Sequence, residues 1–190
     1  MAFEICGLLD QMGIQSYPKD HLDWGCGPGF FVRGMSKARW HSTGYDNSKW
    51  AIQEACKAPG LPFRSRYLLD RHKALFDHYT LCTCLDVLEH MDFPDVCEFL
   101  KWLQARFLLV RIPVAHRDHG PMILPTAQND STHITRLRKE SWEELLRGFG
   151  YAPLFRLNLF TIWDSEGVLA GMYRKIEGLE RPRRIEVKAA

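Results

Sequence analysis

The predicted fold depends on the stretch Leu22-Asp23-Trp24-Gly25-Cys26-Gly27-Pro28-Gly29, which places three alternate glycines between a short apolar segment and an amphipathic one. Glycine has no Cβ and adopts positive φ without steric cost, so a ligand can approach the backbone of such a turn closely. Apolar residues then recur at roughly helical spacing, namely Phe30, Phe31, Met35 and Ala38. The stretch predicts a strand, a ligand-binding turn and a helix whose N-terminus faces an anionic group.

A second acidic residue closes the next predicted strand. The segment from Trp40 to Tyr45 ends at Asp46, which follows Gly25 by 21 residues. A strand–turn–helix–strand unit uses that separation, and it places the carboxylate beside the glycine turn, within reach of a ribose. There the carboxylate can accept charge-assisted hydrogen bonds from both ribose hydroxyls. Asp46 or Asn47 is also predicted to cap the following helix.

Three further strands follow. Tyr67 to Leu69 predicts a third strand closed by Asp70, for which a surface ion pair is the alternative role. The uncharged run from Tyr79 to Leu85 predicts a fourth strand, buried on both faces of a parallel sheet. We expect a helix at 92–106 and a fifth strand at 107–113. Beyond these, a capping box at Ser141 predicts a helix start, and residues 164–167 have the composition of a hairpin turn.

Two motifs resemble those of class I S-adenosylmethionine-dependent methyltransferases. Residues 23–29 read acidic-x-Gly-x-Gly-x-Gly, as in the family's first motif. Val87-Leu88-Glu89-His90 matches the sequence that is common in this family after the fourth strand, as in the small-molecule and ubiquinone-type enzymes. The resemblance covers about residues 20–175. It implies an α/β three-layer sandwich of the Rossmann-like type, with a mostly parallel seven-stranded sheet and a C-terminal antiparallel hairpin.

The same resemblance implies that S-adenosylmethionine is the cofactor. The cofactor-binding residues it implies are Asp23, Gly25, Cys26, Gly27, Gly29, Asp46, Asn47, Asp70, Arg71, Leu85 and Asp86. His90 and His133 are the predicted catalytic residues, because imidazole titrates near neutral pH and can act as a general base. For His90 the alternative role is to orient neighbouring groups.

We predict no metal ion at this site. Asp86, Glu89 and His90, with His133 as a fourth ligand, repeat the spacing of a Glu-x-x-Glu-His ligand set. That set is found in quinone-type O-methyltransferases and small-RNA 2′-O-methyltransferases, so a divalent cation is the alternative. Here, however, the first ligand is aspartate, whose reach is shorter, and many metal-free relatives contain the same Leu-Glu-His sequence.

Length and composition predict one domain. Residues 1–176 are expected to form a single methyltransferase domain, with an N-terminal helix within 1–14 and an acceptor-side loop region at 113–135. Residues 177–190 are expected to form a basic, flexible tail. Six scattered cysteines without a signal peptide predict reduced thiols in a cytoplasmic protein. No apolar run approaches the roughly twenty residues that a membrane span needs.

The predicted function is methyl transfer to an oxygen or nitrogen of a small-molecule acceptor. A formal net charge of +2 does not indicate a nucleic-acid-binding face, and no Asn/Asp-Pro-Pro-aromatic sequence follows the fourth strand. An RNA or other nucleic-acid methyltransferase is the disfavoured alternative; it would use the tail with Arg136, Arg138 and Lys139. A catalytically silent cofactor-binding subunit is the other alternative. The sequence leaves the oligomeric state open.

Overall fold

The computed structural model of the chain describes residues 1–14, 17–58 and 64–176. The strands are β1 Asp20–Trp24, β2 His41–Tyr45, β3 Ser65–Leu68, β4 Tyr79–Leu85, β5 Ala105–Pro113, β6 Tyr151–Arg156 and β7 Val168–Lys175. The helices are α1 Ala2–Gln11, α2 Phe30–Lys37, α3 Lys49–Lys57, α4 Arg71–Phe76, α5 Phe93–Trp102, α6 Pro125–Gln128 and α7 Lys139–Gly148. A 3-10 turn, Leu88–His90, follows β4.

All seven strands form one sheet in the order β3-β2-β1-β4-β5-β7-β6. The strands β1 to β5 pair in parallel, whereas β7 lies antiparallel between β5 and β6. The predicted fold class is confirmed, including the antiparallel C-terminal strands. In β4 every residue before Leu85 is buried, as its uncharged sequence predicted. Since parallel strands end at a common edge, the turns that follow β1, β2 and β4 lie close together.

Two hydrophobic clusters cover the two faces of the sheet. Alternate residues of β5 belong to different clusters, Leu108 to the first and Leu109 to the second, as expected when successive side chains point to opposite faces. The first cluster contains residues of α5 and α7, including Phe99 and Trp142, and the second contains Ile5 of α1. The sheet therefore forms the middle of three layers.

Several predicted boundaries were wrong. The helix predicted at 92–106 ends at Trp102, because the backbone of Leu103 is extended and its side chain packs into the first cluster. The strand β5 already begins at Ala105. The capping box is also wrong: α7 begins after Arg138, and the hydroxyl of Ser141 donates to Asp118 Oδ2 at 2.7 Å instead of capping the helix.

The remaining segments agree in outline with the sequence. Residues 113–135 contain α6 and an isolated bridge between Ala115 and Met122, and residues 157–167 form a longer connection than the predicted turn. The predicted tail at 177–190 lies outside the described residues. Within the described ranges, every helix is too short or too polar to cross a membrane, and all six cysteines are free thiols.

Candidate active site

The turn after β1 holds its three glycines in the left-handed region, with φ of 78° at Gly25, 51° at Gly27 and 75° at Gly29. A Cβ on Gly25 would lie 2.3 Å from a methyl carbon of Val87, and one on Gly29 would lie 2.5 Å from the ring of Tyr67. A Cβ on Gly27 would meet no heavy atom of the described residues within 4 Å. Packing therefore requires two of these glycines, whereas Gly27 borders open space.

Asp46 fixes the glycine turn to the end of β2. Its Oδ2 accepts the Gly27 N–H at 2.9 Å, and its Oδ1 accepts the Ser48 N–H at 2.8 Å. The cap of α3 is Ser48, whose hydroxyl oxygen accepts the Ala51 N–H at 3.2 Å, rather than Asp46 or Asn47. Each carboxylate oxygen has a second lone pair, so Asp46 retains the capacity to accept two ligand hydroxyls.

A cavity of about 270 Å³ opens at this edge of the sheet. Its lining residues include Gly25, Asp46 and Tyr45, whose ring stacks on the indole of Trp24 with ring centroids 4.1 Å apart. We call this cavity the crevice. A larger cavity of about 500 Å³ lies at the opposite edge, beside the starts of β1, β2 and β4. In open α/β sheets ligands bind outside the carboxyl ends of the strands, which favours the crevice as the ligand site.

Asp23 lies beneath the turn, behind the crevice rather than in its wall. It ends a buried chain of hydrogen bonds: Ser42 Oγ to His21 Nδ1 at 2.7 Å, His21 Nε2 to Thr83 Oγ1 at 2.9 Å, and Thr83 Oγ1 to Asp23 Oδ1 at 2.7 Å. Burial raises the pKa of Asp23 to about 7 and lowers that of His21 to about 3. His21 is therefore neutral at neutral pH, whereas burial disfavours the ionised form of Asp23.

The other predicted cofactor residues have different positions. Asn47, Arg71 and Asp86 line the crevice, and Arg71 donates to Asp95 at 2.9 Å. Asp70 instead caps α4, because its Oδ1 accepts two helix N–H groups at 3.0 and 3.2 Å. Leu85 packs against the second cluster, and Cys26 forms a separate small cluster with Val32 and Ile52. Asp86, at φ 55°, pairs with Arg111.

Three titratable side chains meet beside the crevice. The predicted catalytic residues His90 and His133 lie with their ring centroids 4.5 Å apart, although they are distant in sequence. The connection is made by Glu89, whose backbone carbonyl accepts the N–H groups of Ile134 and Thr135 at 2.9 and 3.0 Å. His90 lines the crevice, whereas His133 is buried behind it.

Glu89 has a position that the sequence did not predict. Its side chain is fully buried, and neither carboxylate oxygen has a hydrogen-bond partner among the described residues. Burial raises the pKa of Glu89 to about 8. The ligating atoms of Glu89, His90 and His133 lie within 4.8 Å of one another, so these three residues could reach one cation. Asp86, the remaining residue of the considered metal set, is bound to Arg111.

A family model described as "Methyltransferase domain" matches residues 2–154. No curated protein matches the chain.

Among solved structures, magnesium protoporphyrin IX methyltransferase (ChlM) from Synechocystis PCC 6803 with bound SAM shares 15% identity and a TM-score of 0.62, over 92% of this chain and 79% of that one. The methyltransferase domain of bacterial CtHen1-CN shares 19% identity and a TM-score of 0.62, over 91% of this chain and 96% of that one. Mitomycin 7-O-methyltransferase MmcR shares 18% identity and a TM-score of 0.63; the match covers 83% of this chain and 49% of that one, so this chain spans about half its length.

Proposed function

This chain belongs to the methyltransferase-domain family, and from that membership we propose that it transfers the methyl group of S-adenosylmethionine to an oxygen or nitrogen of a small-molecule acceptor. The observation that supports the cofactor site is the hydrogen bond from Gly27, whose Cα borders open space, to Asp46, which lines the crevice. An open face of backbone and a carboxylate with unused lone pairs suit the ribose of a nucleoside.

The cofactor supplies a methyl group on a positively charged sulfur, which an acceptor displaces in line. The protein's tasks are to align the two reactants and to remove the acceptor's proton where one must leave. In the proposed arrangement Tyr45, whose ring stacks on the buried indole of Trp24, lines the crevice, and Asp46 holds the ribose. The acceptor then lies on the side of His90, whose imidazole is the accessible base.

A nucleic-acid acceptor fits the basic residues less well. Three basic residues were considered as contacts for the phosphates of a nucleic acid. Two of them already form ion pairs: Lys139 lies 3.0 Å from Asp164, and Arg138 lies 3.9 Å from Asp118. Arg136 donates through Nε to the carbonyl oxygen of His133 at 2.8 Å. Binding a phosphate backbone would compete with these contacts. This supports a small-molecule acceptor.

Calorimetry with S-adenosylhomocysteine tests the cofactor site. We expect the wild type to bind this product, and Asp46→Ala to weaken binding at least tenfold, because hydrogen bonds to a charged group are lost. Asp20→Ala is the matched control: Asp20 lies at the opposite end of β1, so its loss should leave affinity unchanged. No binding by the wild type, or equal binding by Asp46→Ala, would refute the assignment.

Turnover identifies the acceptor class and separates an enzyme from a silent subunit. The purified chain is incubated with labelled S-adenosylmethionine and a panel of phenols, sugars, quinone precursors and RNA oligonucleotides. Methylation of a small molecule supports the proposal. Methylation of RNA alone supports the nucleic-acid alternative, and cofactor binding without turnover across the panel supports the silent subunit.

A further inference from the structure

We propose that Asp130 and Thr132 form a hydrogen-bonded relay that fixes the tautomer of His90 and leaves Nε2 of His90 as the base for the methyl acceptor. The proposal rests on the proposed function and deepens it, because it adds two positioning residues. Both belong to the segment that precedes α7, and Thr132 contacts His90, from which it is 42 residues distant in sequence.

The relay begins at Asp130. Its Oδ1 accepts both the backbone N–H of Thr132 at 2.9 Å and the hydroxyl of Thr132 at 2.5 Å. These bonds lower the pKa of Asp130 below its ordinary value, so the carboxylate is ionised and can only accept. The single hydroxyl hydrogen of Thr132 is therefore committed to Asp130, and its oxygen is left as an acceptor.

The second step of the relay reaches the imidazole. Thr132 Oγ1 lies 2.8 Å from His90 Nδ1, and because this oxygen accepts, Nδ1 must carry a hydrogen and donate it. A neutral imidazole has one N–H, so Nε2 retains its lone pair. The nearest carboxylate oxygen, Glu89 Oε1, is 3.9 Å from Nε2 and too distant for a hydrogen bond. Nε2 is therefore free to take a proton.

Accessibility distinguishes His90 from His133. His133 Nδ1 donates to the carbonyl oxygen of Ala127 at 2.8 Å, so this ring also has a free Nε2, which lies 3.7 Å from Asp130 Oδ2. However, the His133 side chain is 6% exposed, whereas that of His90 is 34% exposed and lines the crevice. Only an exposed base can both reach an acceptor and return its proton to water. His90 is therefore the base, and His133 packs behind it.

Deprotonation of the acceptor by His90 accompanies methyl transfer. His90 Nε2 takes the proton of the acceptor O–H or N–H, and the bonding pair stays on the acceptor atom. That atom forms a bond to the methyl carbon as the carbon–sulfur bond breaks, and the sulfur keeps its electron pair. His90 becomes an imidazolium that still donates through Nδ1 to Thr132, beside the charge of Asp130. Water then removes the proton from the exposed ring.

Nitrogen NMR reads the tautomer without any knowledge of the acceptor. The probe is the full chain labelled with ¹⁵N-histidine, treated with EDTA and saturated with S-adenosylhomocysteine, at alkaline pH where imidazole is neutral. His90→Gln identifies the His90 resonances by their loss. In the wild type we expect a protonated Nδ1 and an unprotonated Nε2. Thr132→Val should lose this preference, Thr132→Ser should restore it, and Ser131→Ala is the control on the same segment.

An Nε2–H tautomer of His90 in the wild type would overturn the relay. A tautomer that survives Thr132→Val unchanged would also overturn it, since the hydroxyl would then have no effect. Thr132→Ser guards against a merely structural explanation, because it keeps the hydroxyl and removes only a methyl group. If S-adenosylhomocysteine does not bind, the proposed function fails; the tautomer of the unliganded protein still tests the relay.

Discussion

Substituting Gly27 by alanine separates backbone strain from ligand exclusion in the glycine turn. The residue has a φ of 51°, and its added methyl group would point into space that no atom of the described ranges occupies within 4 Å. Left-handed backbone costs a non-glycine residue about 1–2 kcal/mol. The free energy of unfolding of Gly27→Ala, measured by urea denaturation, should therefore fall by about that amount and no more.

The methyl group of Gly27→Ala should also hinder ligand binding sterically. If the nucleoside lies in van der Waals contact with this backbone, it must shift away from Asp46, whose Oδ2 accepts the Gly27 N–H at 2.9 Å. We expect the dissociation constant of S-adenosylhomocysteine, measured by calorimetry, to rise at least tenfold, which corresponds to about 1.4 kcal/mol.

Gly13→Ala is the matched control. Gly13 has a φ of 70°, follows α1, and its Cβ would likewise meet nothing within 4 Å in the part of the chain that the structure describes. This variant should lose the same 1–2 kcal/mol of stability, as estimated for left-handed backbone, and keep its affinity. If Gly27→Ala binds S-adenosylhomocysteine as the wild type does, the turn does not approach the ligand and the reasoning is refuted.

Three further changes test other parts of the site. The pKa of Asp23 is raised from 3.8 to about 7 in the fold, so the stability this group contributes is complete below pH 3.8 and is lost as the pH rises to 7; Asp23→Asn should exceed the wild type in unfolding free energy at pH 8, by up to about 4 kcal/mol, and should match it near pH 4. An equal difference at both pH values would contradict this. His90→Gln should lower methyl transfer by about 10²–10⁴-fold and leave the affinity for S-adenosylhomocysteine unchanged, whereas Ser131→Ala should alter neither. Ser48→Ala should lower the free energy of unfolding by about 0.5–2 kcal/mol, because the cap of α3 is lost, and unchanged thermal unfolding would show that the cap contributes nothing.

The sequence predicted the parallel core because its signals are local. The uncharged run of β4 and the glycine turn each specify their own structure, and both were found where predicted. Boundaries were less predictable, because the turn at Leu103 depends on burial against distant residues. Asp70 follows β3 as expected, but its carboxylate accepts the N–H groups of the helix it begins.

Within the site, contacts between segments that are distant in sequence could not be predicted from the sequence. The proximity of His90 and His133 was suggested only by the family resemblance, and no local pattern indicates that Glu89 would be buried without partners. The approach of Thr132 to His90 likewise depends on how the segment before α7 folds back over the 3-10 turn. Such features follow from tertiary packing, which composition and periodicity do not encode.

The buried chain from Ser42 through His21 and Thr83 to Asp23 also has a consequence for strand alignment. It joins the strands β1, β2 and β4 through buried polar side chains. His21 lies opposite Ser42, and Asp23 opposite Thr83. A two-residue shift in register would keep each side chain on the same face of the sheet. It would, however, leave the imidazole of His21 and the carboxyl group of Asp23 buried without hydrogen-bond partners. The chain therefore selects one register, and with it the alignment that brings Gly27 to Asp46.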